Sequence, residues 1–393
     1  MSDPNEISAE LNIDDALKLA RQGKDVWNTW AADPANAGTS VCFSHHDFTS
    51  DPIGFSGFIF PGPVSFQRCK FNGPDFSETI FKGDADFINA EFHDQTTFRG
   101  ACFHGEVNFR GTQFGSSAYF NVAKFYSDAI FGGVMFAGGV RFQNAEFEGE
   151  AGFRDASFFG KAWFNDSRFA GEGPDFHSVE FGGPMYLDGA VFEYVPEFRY
   201  TKITNHFTLH RVEVKYHDSD QRAKWLGLSW AKAADGDDVD RYRRLKELAN
   251  VAKDHEREQY FFALELKAKR HYETTGCALL LNYAYGWFSG FGRSVWRPLV
   301  GLIGVWGMFG VGHGMFAKLD TSMPYLEGLR LSAAVLLPFV SSARTIYEKA
   351  STAVYGQAPA RAWVLDLAVV MESMLGLIFI FLLGLALRNR FRL

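Results

Sequence analysis

Residues 85–114 read ADFINAEFHDQTTFRGACFHGEVNFRGTQF, and the spacing of the large apolar side chains in this stretch decides the fold. Phe87, Phe92, Phe98, Phe103, Phe109 and Phe114 recur at alternating intervals of five and six residues, an eleven-residue unit. Two positions before each stands a small or β-branched residue: Ala85, Ala90, Thr96, Ala101, Val107 and Thr112. Positions i and i−2 share a face only in an extended chain, whose side chains alternate with a period of two; a helix would turn them to different sides. Each unit is therefore predicted to be a short extended face that points one small and one large side chain the same way.

Outward from this stretch the register holds. It begins at Phe66 with intervals of five (Phe71, Phe76, Phe81) and continues through Phe120, Phe125, Phe131, Phe136, Phe142, Phe147, Phe153, Phe158, Phe164 and Phe169. After a slip at Gly173-Pro174 it resumes with Phe176, Phe181, Leu187, Phe192, Phe198 and Ile203. Faces of about five residues need tight corners, and Asn89, Asp94, Gly100, Gly105, Gly111, Gly132, Asp155 and Asp166 supply turn-forming chemistry between them. The extra residue of each six-residue interval is placed at a corner, where it leaves the interior undisturbed. The 41 Phe and 39 Gly among 393 residues reflect this repetition and not a generic core.

Units such as Ala85-Asp86-Phe87-Ile88-Asn89 and Ala90-Glu91-Phe92 resemble those of the pentapeptide-repeat proteins, over roughly residues 41–205. The resemblance implies a right-handed quadrilateral β-helix with four faces per coil and the central side chains stacked inward. At about 22 residues per coil and ~4.8 Å per coil, about seven coils would make a rod ~35 Å long. Phe87, Phe98, Phe109, Phe120, Phe131, Phe142, Phe153 and Phe164 are then core residues that exclude solvent, and no ligand site is read into them. Some soluble members of that family mimic DNA with an acidic face and act on topoisomerases.

The net charge of −7 is unevenly spread: from Cys42 to Arg211 there are 13 Lys and Arg against 21 Asp and Glu. No basic patch advertises nucleic-acid binding, and the acidic solenoid surface is the expected place for a protein partner. Cys42, Cys69, Cys102 and Cys277 show neither CxxC pairing nor a His at metal-ligand spacing, so they are expected to be free thiols. Met1 to Leu19 lacks an apolar signal core, which points to a cytoplasmic repeat domain. No phosphate loop, nucleophile elbow or metal constellation appears, so the chain is read as a non-enzyme with no catalytic residue, cofactor or metal.

Four segments are expected: a helical cap over 1–40, the β-helix over 41–211, a charged helical connector over 212–275 and a membrane domain over 276–393. In the connector, Arg241 to Tyr272 reads as one amphipathic helix, with Leu245, Leu248, Ala252, Gln259, Phe262 and Leu266 near one face. Asp254, His255, Glu256 and Glu258 lie in a charged stretch read as solvated and not as a metal site.

Residues 299–316 (LVGLIGVWGMFGVGHGMF) and 363–387 are apolar runs long enough to span a bilayer. Arg293 and Arg297 precede the first and Arg388, Arg390 and Arg392 follow the second, so both chain ends are expected in the cytoplasm, at the inner membrane. Tyr283, Tyr285, Trp287 and Trp296 would form an aromatic belt there. Gly301, Gly304, Gly307, Gly310 and Gly314 would let another helix approach, within the chain or in a homo-oligomer. Asp366 and Glu372 are costly in lipid and should face protein or water; Asp366 lies near an end, while Glu372 is deeper. His313 is the candidate partner of Glu372, or else a residue of the outer interface.

Residues 326–340 are too short to cross and are expected to dip in or lie at the interface. Two spans around such a segment resemble the pore module of two-transmembrane ion channels, without a TVGYG-type filter. The sequence thus leaves two main readings: a membrane-tethered interaction scaffold, or an oligomeric channel lined by Glu372 and residues 326–340. An acidic DNA mimic is a third, against which the membrane tail counts.

Overall fold

The computed structural model describes residues 10–217, 224–225, 228–229, 233, 235–317, 323–338, 340–356 and 362–391. Arg392 lies outside the described residues, as do the first residues of the N-terminal segment. The chain divides into two compact units, one holding the repeat region and the helices up to Ala268, the other the helices from Lys269 on.

The repeat region is a four-faced solenoid of two-residue parallel strands. Its faces, taken in chain order from Ala85, carry seven, seven, six and eight strands, which fixes about eight coils over residues 41–214. The strand at Ala85 pairs with Val107, that at Val107 with Ala129 and that at Ala129 with Ala151, each 22 residues on. Where the slip at Gly173-Pro174 adds a residue, Ala162 pairs with Met185, and the first face keeps only bridge contacts, Gly152 to Asp175 and Asp175 to Glu197. The surplus residue is absorbed outside the pairing, so the inward set of side chains never flips.

Inside, every face contributes a column of rings. On the first, Phe87, Phe109, Phe131 and Phe153 stack with centroids 4.8–5.0 Å apart. On the third, Phe98, Phe120, Phe142 and Phe164 do so at 4.8–5.0 Å. The two columns meet edge to face in the centre, as Phe87 does with Phe98 at 5.5 Å and 88°. All eight rings are fully buried. Each such burial contributes roughly 1.5–3 kcal/mol, so the expectation of a solid, stacked interior holds. Polar atoms at the small position are satisfied inside: Thr112 donates to the Phe87 carbonyl at 2.7 Å. Cys69 donates to the Phe43 carbonyl at 2.9 Å, and burial pushes its thiol up to about 12, which leaves it inert. All four cysteines are free.

Corners alternate in kind. After Phe on the first and third faces, the residue two places on is left-handed: Asn89, Val122, Asn144, Asp155 and Asp166 all have φ between 54° and 59°. The six-residue corners instead need closeness, since a Cβ at Gly160 would overlap the Gly138 carbonyl of the coil before.

Both ends of the solenoid are covered. Helices α1 (Ile13–Ala20) and α2 (Lys24–Ala32) close the first. Trp27 of α2 is fully buried over Phe43, Phe58 and Phe60, and its Nε1 donates to the Ile59 carbonyl at 2.9 Å. At the other end the connector is two helices and not the single one expected: α3 (Asp238–Val251) and α4 (His255–Ala268). The break is a left-handed Lys253 at φ 57°, followed by Asp254, whose carboxylate accepts the Arg257 amide at 3.0 Å as an N-cap. The break also resets the helical phase, so Phe261, Leu264 and Ala268 turn inward where Phe262 and Leu266 were expected. Glu265 is buried and accepts Lys246 at 2.6 Å. The pair caps the last coil: the Tyr260 hydroxyl donates to the Val214 carbonyl at 2.7 Å and Arg257 to that of Val212 at 2.8 Å.

The second unit contains α5 (Gly276–Ser289), α6 (Trp296–Met315), α7 (Pro324–Leu336), α8 (Ala343–Tyr355) and α9 (Ala362–Arg390). Helices α6 and α9 run antiparallel: Asn389 Nδ2 donates to the Gly292 carbonyl at 3.3 Å near one end, and His313 meets Glu372 at 3.0 Å toward the other. Helix α6 and the stretch Asp366–Arg390 of α9 are long and apolar enough to cross a membrane. Helix α8 has no counterpart among the sequence expectations.

Two substitutions separate the corner types. Val122→Asn, which copies Asn89 and Asn144, should stabilise the solenoid by ~1 kcal/mol by relieving a β-branched left-handed residue. Gly160→Ala should destabilise it by about 1–3 kcal/mol through overpacking. Thermal melts of the purified chain followed by circular dichroism read both.

Candidate functional site

A polar side chain buried away from water has only protein to bond to, so the partners of each one define the site. Glu372, on α9, is fully buried. One carboxylate oxygen, Oε2, lies 3.0 Å from His313 Nε2 of α6. The other, Oε1, is hydrogen-bonded to the Ser332 hydroxyl of α7. His313 Nδ1 lies 2.6 Å from the Tyr355 hydroxyl at the end of α8. Ser332 also reaches the Trp306 carbonyl of α6 at 3.1 Å. Four helices thus converge on one acid through groups that are at most 3% exposed, apart from the half-buried Tyr355.

Small residues make this convergence geometrically possible. A Cβ at Gly310 would strike Leu329, one at Gly314 would strike Tyr325, and one at Gly328 would overlap the Gly310 carbonyl. Gly301 faces Phe379 of α9, and Gly376 faces Leu336 of α7. Gly304 and Gly307 meet nothing within 4 Å. At about 100° per residue a three-residue spacing drifts around the helix, so the five glycines of α6 are divided among α9, α7 and open surface.

Of the residues singled out from sequence, the structure brings His313 and Glu372 together and leaves Asp366 exposed. Ser332, Tyr355 and Gly328 were not found by sequence reasoning. Gly328, inside an apolar helix, carried a readable packing signal; Ser332 and Tyr355 carried none, being ordinary residues 40 and 17 positions from Glu372. Tyr285 is half-buried, and burial raises its hydroxyl above the ordinary value. Among the described residues no cluster of three or more His, Cys, Asp or Glu could hold a metal ion.

The solenoid surface carries a second arrangement. Outward positions of the third face align Thr97, Tyr119, Arg141, Trp163, Tyr186 and Thr208 in successive coils. The Arg141 guanidinium lies 5.2 Å from the Tyr119 ring and 5.0 Å from that of Trp163. From Thr97 to Thr208 this column holds no acid; one coil before Thr97 it carries Asp75. Many acids elsewhere are occupied: Asp84, Asp128 and Asp188 accept the backbone amides of Glu106, Glu150 and His210 in the next coil, at 2.8–2.9 Å. On the fourth face Lys124 pairs with Glu146 at 3.4 Å and Arg168 with Glu148 at 2.7 Å. A groove of about 690 Å³ near the α3 end is likewise lined by paired charges, Glu197 with Arg199 at 2.6 Å and Arg241 with Asp235 at 2.9 Å. Burial there works to raise the Glu197 carboxyl, but hydrogen bonds from Arg199 outweigh it and hold the group below its ordinary value.

If the glycine contacts hold the cluster together, Gly328→Leu should push α7 off α6 and cost about 1–3 kcal/mol. Gly304→Ala, on open surface, should stay within about 0.5 kcal/mol of wild type or gain slightly from helix propensity. Melting of the detergent-solubilised chain compares them.

Comparison with known proteins gives one match. A family model described as pentapeptide repeats (9 copies) matches residues 55–101 and 98–146. Searches of curated proteins and of solved structures return no match. The matched segment lies within the solenoid, whose strand pairing continues on either side of it.

Proposed function

We propose that this chain is a membrane-tethered interaction scaffold, with a protein partner docking on the solenoid. The observation that carries the reading is the ring-filled interior: it leaves no internal room for a ligand, so recognition falls to the outward columns. Among these the Tyr119–Arg141–Trp163–Tyr186 column combines the residue types most enriched at binding hot spots. The acids counted in the sequence are largely engaged at corners and in ion pairs, which speaks against a DNA-like array of free charge.

Tethering is supported by the two long apolar helices. Only 28% and 22% of their spanning windows are buried within the chain. Val300, Ile303 and Met308 on α6 and Leu377 and Phe381 on α9 are more than half exposed or close to it, as lipid-facing residues would be. Arg293, Arg297, Arg388 and Arg390 gather at the end of the hairpin marked by the Asn389–Gly292 bond, and the positive-inside rule puts that end in the cytoplasm. The channel reading needs Glu372 on an aqueous path. Its enclosure by His313 and Ser332 favours the anchor.

Topology is tested with a membrane-impermeant maleimide on intact cells, in a Cys277→Ser background because that thiol is exposed. Tyr325→Cys should label from outside, and Gln113→Cys on the solenoid only after permeabilisation. Labelling of the solenoid in intact cells, or recovery of the chain in the soluble fraction, would overturn the proposal. For docking, a photo-crosslinking side chain at Trp163 should give a protein adduct that one at Gln113 does not.

A further inference from the structure

The contacts of the buried cluster bear on its proton count. Four contacts run in series: Tyr355 hydroxyl to His313 Nδ1 at 2.6 Å, His313 Nε2 to Glu372 Oε2 at 3.0 Å, Glu372 Oε1 to Ser332, and Ser332 to the Trp306 carbonyl at 3.1 Å. Each needs one hydrogen. A neutral imidazole and an ionised carboxylate leave three donors for the four, namely Tyr355, His313 and Ser332. One contact then has no hydrogen, and an uncompensated negative charge sits on a fully buried acid.

One added proton resolves both problems when it resides on Glu372. Tyr355 donates to Nδ1, and Nε2–H donates to Oε2. The carboxyl O–H on Oε1 donates to Ser332, and Ser332 donates to the Trp306 carbonyl. All four contacts are filled in one direction and no group is charged. On the imidazole the same proton does less well. Both ring nitrogens become donors, so Tyr355 must accept and turn its own hydrogen out of the chain. Ser332 must then choose between Glu372 and Trp306, and opposite charges are enclosed where hydrocarbon surrounds the helices.

We propose that Glu372 carries a proton at neutral pH and that Tyr355, His313, Glu372 and Ser332 form a single-proton binding site within the membrane domain. The titratable groups facing Glu372 are His313 from α6 and Tyr355 from α8, with Tyr347 beside the latter. Helix α7 contributes Ser332; its Glu327 and Arg330 pair with each other at 2.7 Å. On α9 itself Asp366 is exposed. Helix α8 ends at Tyr355, so loss of the proton, with a charge left on the acid, weakens the chain that ties α8 to the hairpin. The site is thus a latch whose occupancy follows pH. It rests on the cluster alone and stands whether or not the solenoid binds a partner.

Infrared spectroscopy of the full-length chain in detergent at neutral pH tests it. Wild type should show a protonated-carboxyl band that shifts in heavy water and is missing from Glu372→Gln. The glutamine is near-isosteric and reproduces one donor and one acceptor, so that variant should melt with wild type. Ser332→Ala should keep the band but move it to higher wavenumber, because the acid has lost its acceptor. This arm is read even if Glu372→Gln fails to fold. A wild-type spectrum in which Glu372→Gln removes only carboxylate absorption overturns the proposal, as does a band that Ser332→Ala leaves unmoved.

Discussion

The step between stacked parallel strands is the constraint on which the solenoid depends. Neighbouring strands lie about 4.8 Å apart, and aromatic rings that must stack at this repeat take the near-parallel geometry seen at 4.6 Å between Phe125 and Phe147. A single residue type at one position of every face therefore fills the interior without a packing problem to solve anew in each coil. The corners follow from the same step, since glycine is needed where one corner lies directly on the last. So do the caps: a column of rings has two open ends, which Trp27 covers on one side and α3 with α4 on the other.

In the second unit the governing constraint is the need to pair polar groups without water. Glu372 would be prohibitive alone; its two partners, His313 and Ser332, and the Tyr355 that bonds His313 come from three other helices. Close approach of α7 to α6 through Gly310, Gly314 and Gly328 brings Ser332 within reach. Packing and polar satisfaction are thus one problem here: a bulky residue at Gly328 would strand the acid as well as open the interface.

Much of this was legible because it is periodic. The Phe register gave the faces, the inward set and the location of the slip, and composition alone gave two apolar helices. What escaped was set by contacts distant in sequence or by single backbone choices. A left-handed Lys253 is permitted only because Asp254 caps the next helix and α4 gains a surface in the last coil, and no periodicity records that. His313 was visible as a candidate because an ionisable residue in an apolar run is rare. Ser332 and Tyr355 were invisible because neither residue is unusual where it stands.

The proposed scaffold on a dry anchor keeps its recognition surface on the outside of the solenoid and has no aqueous path between the helices. Ion flux into liposomes carrying the purified full-length chain tests that most directly, with Glu372→Ala beside wild type across several salts. No flux above protein-free liposomes is expected for either. Flux through wild type that Glu372→Ala abolishes would contradict it.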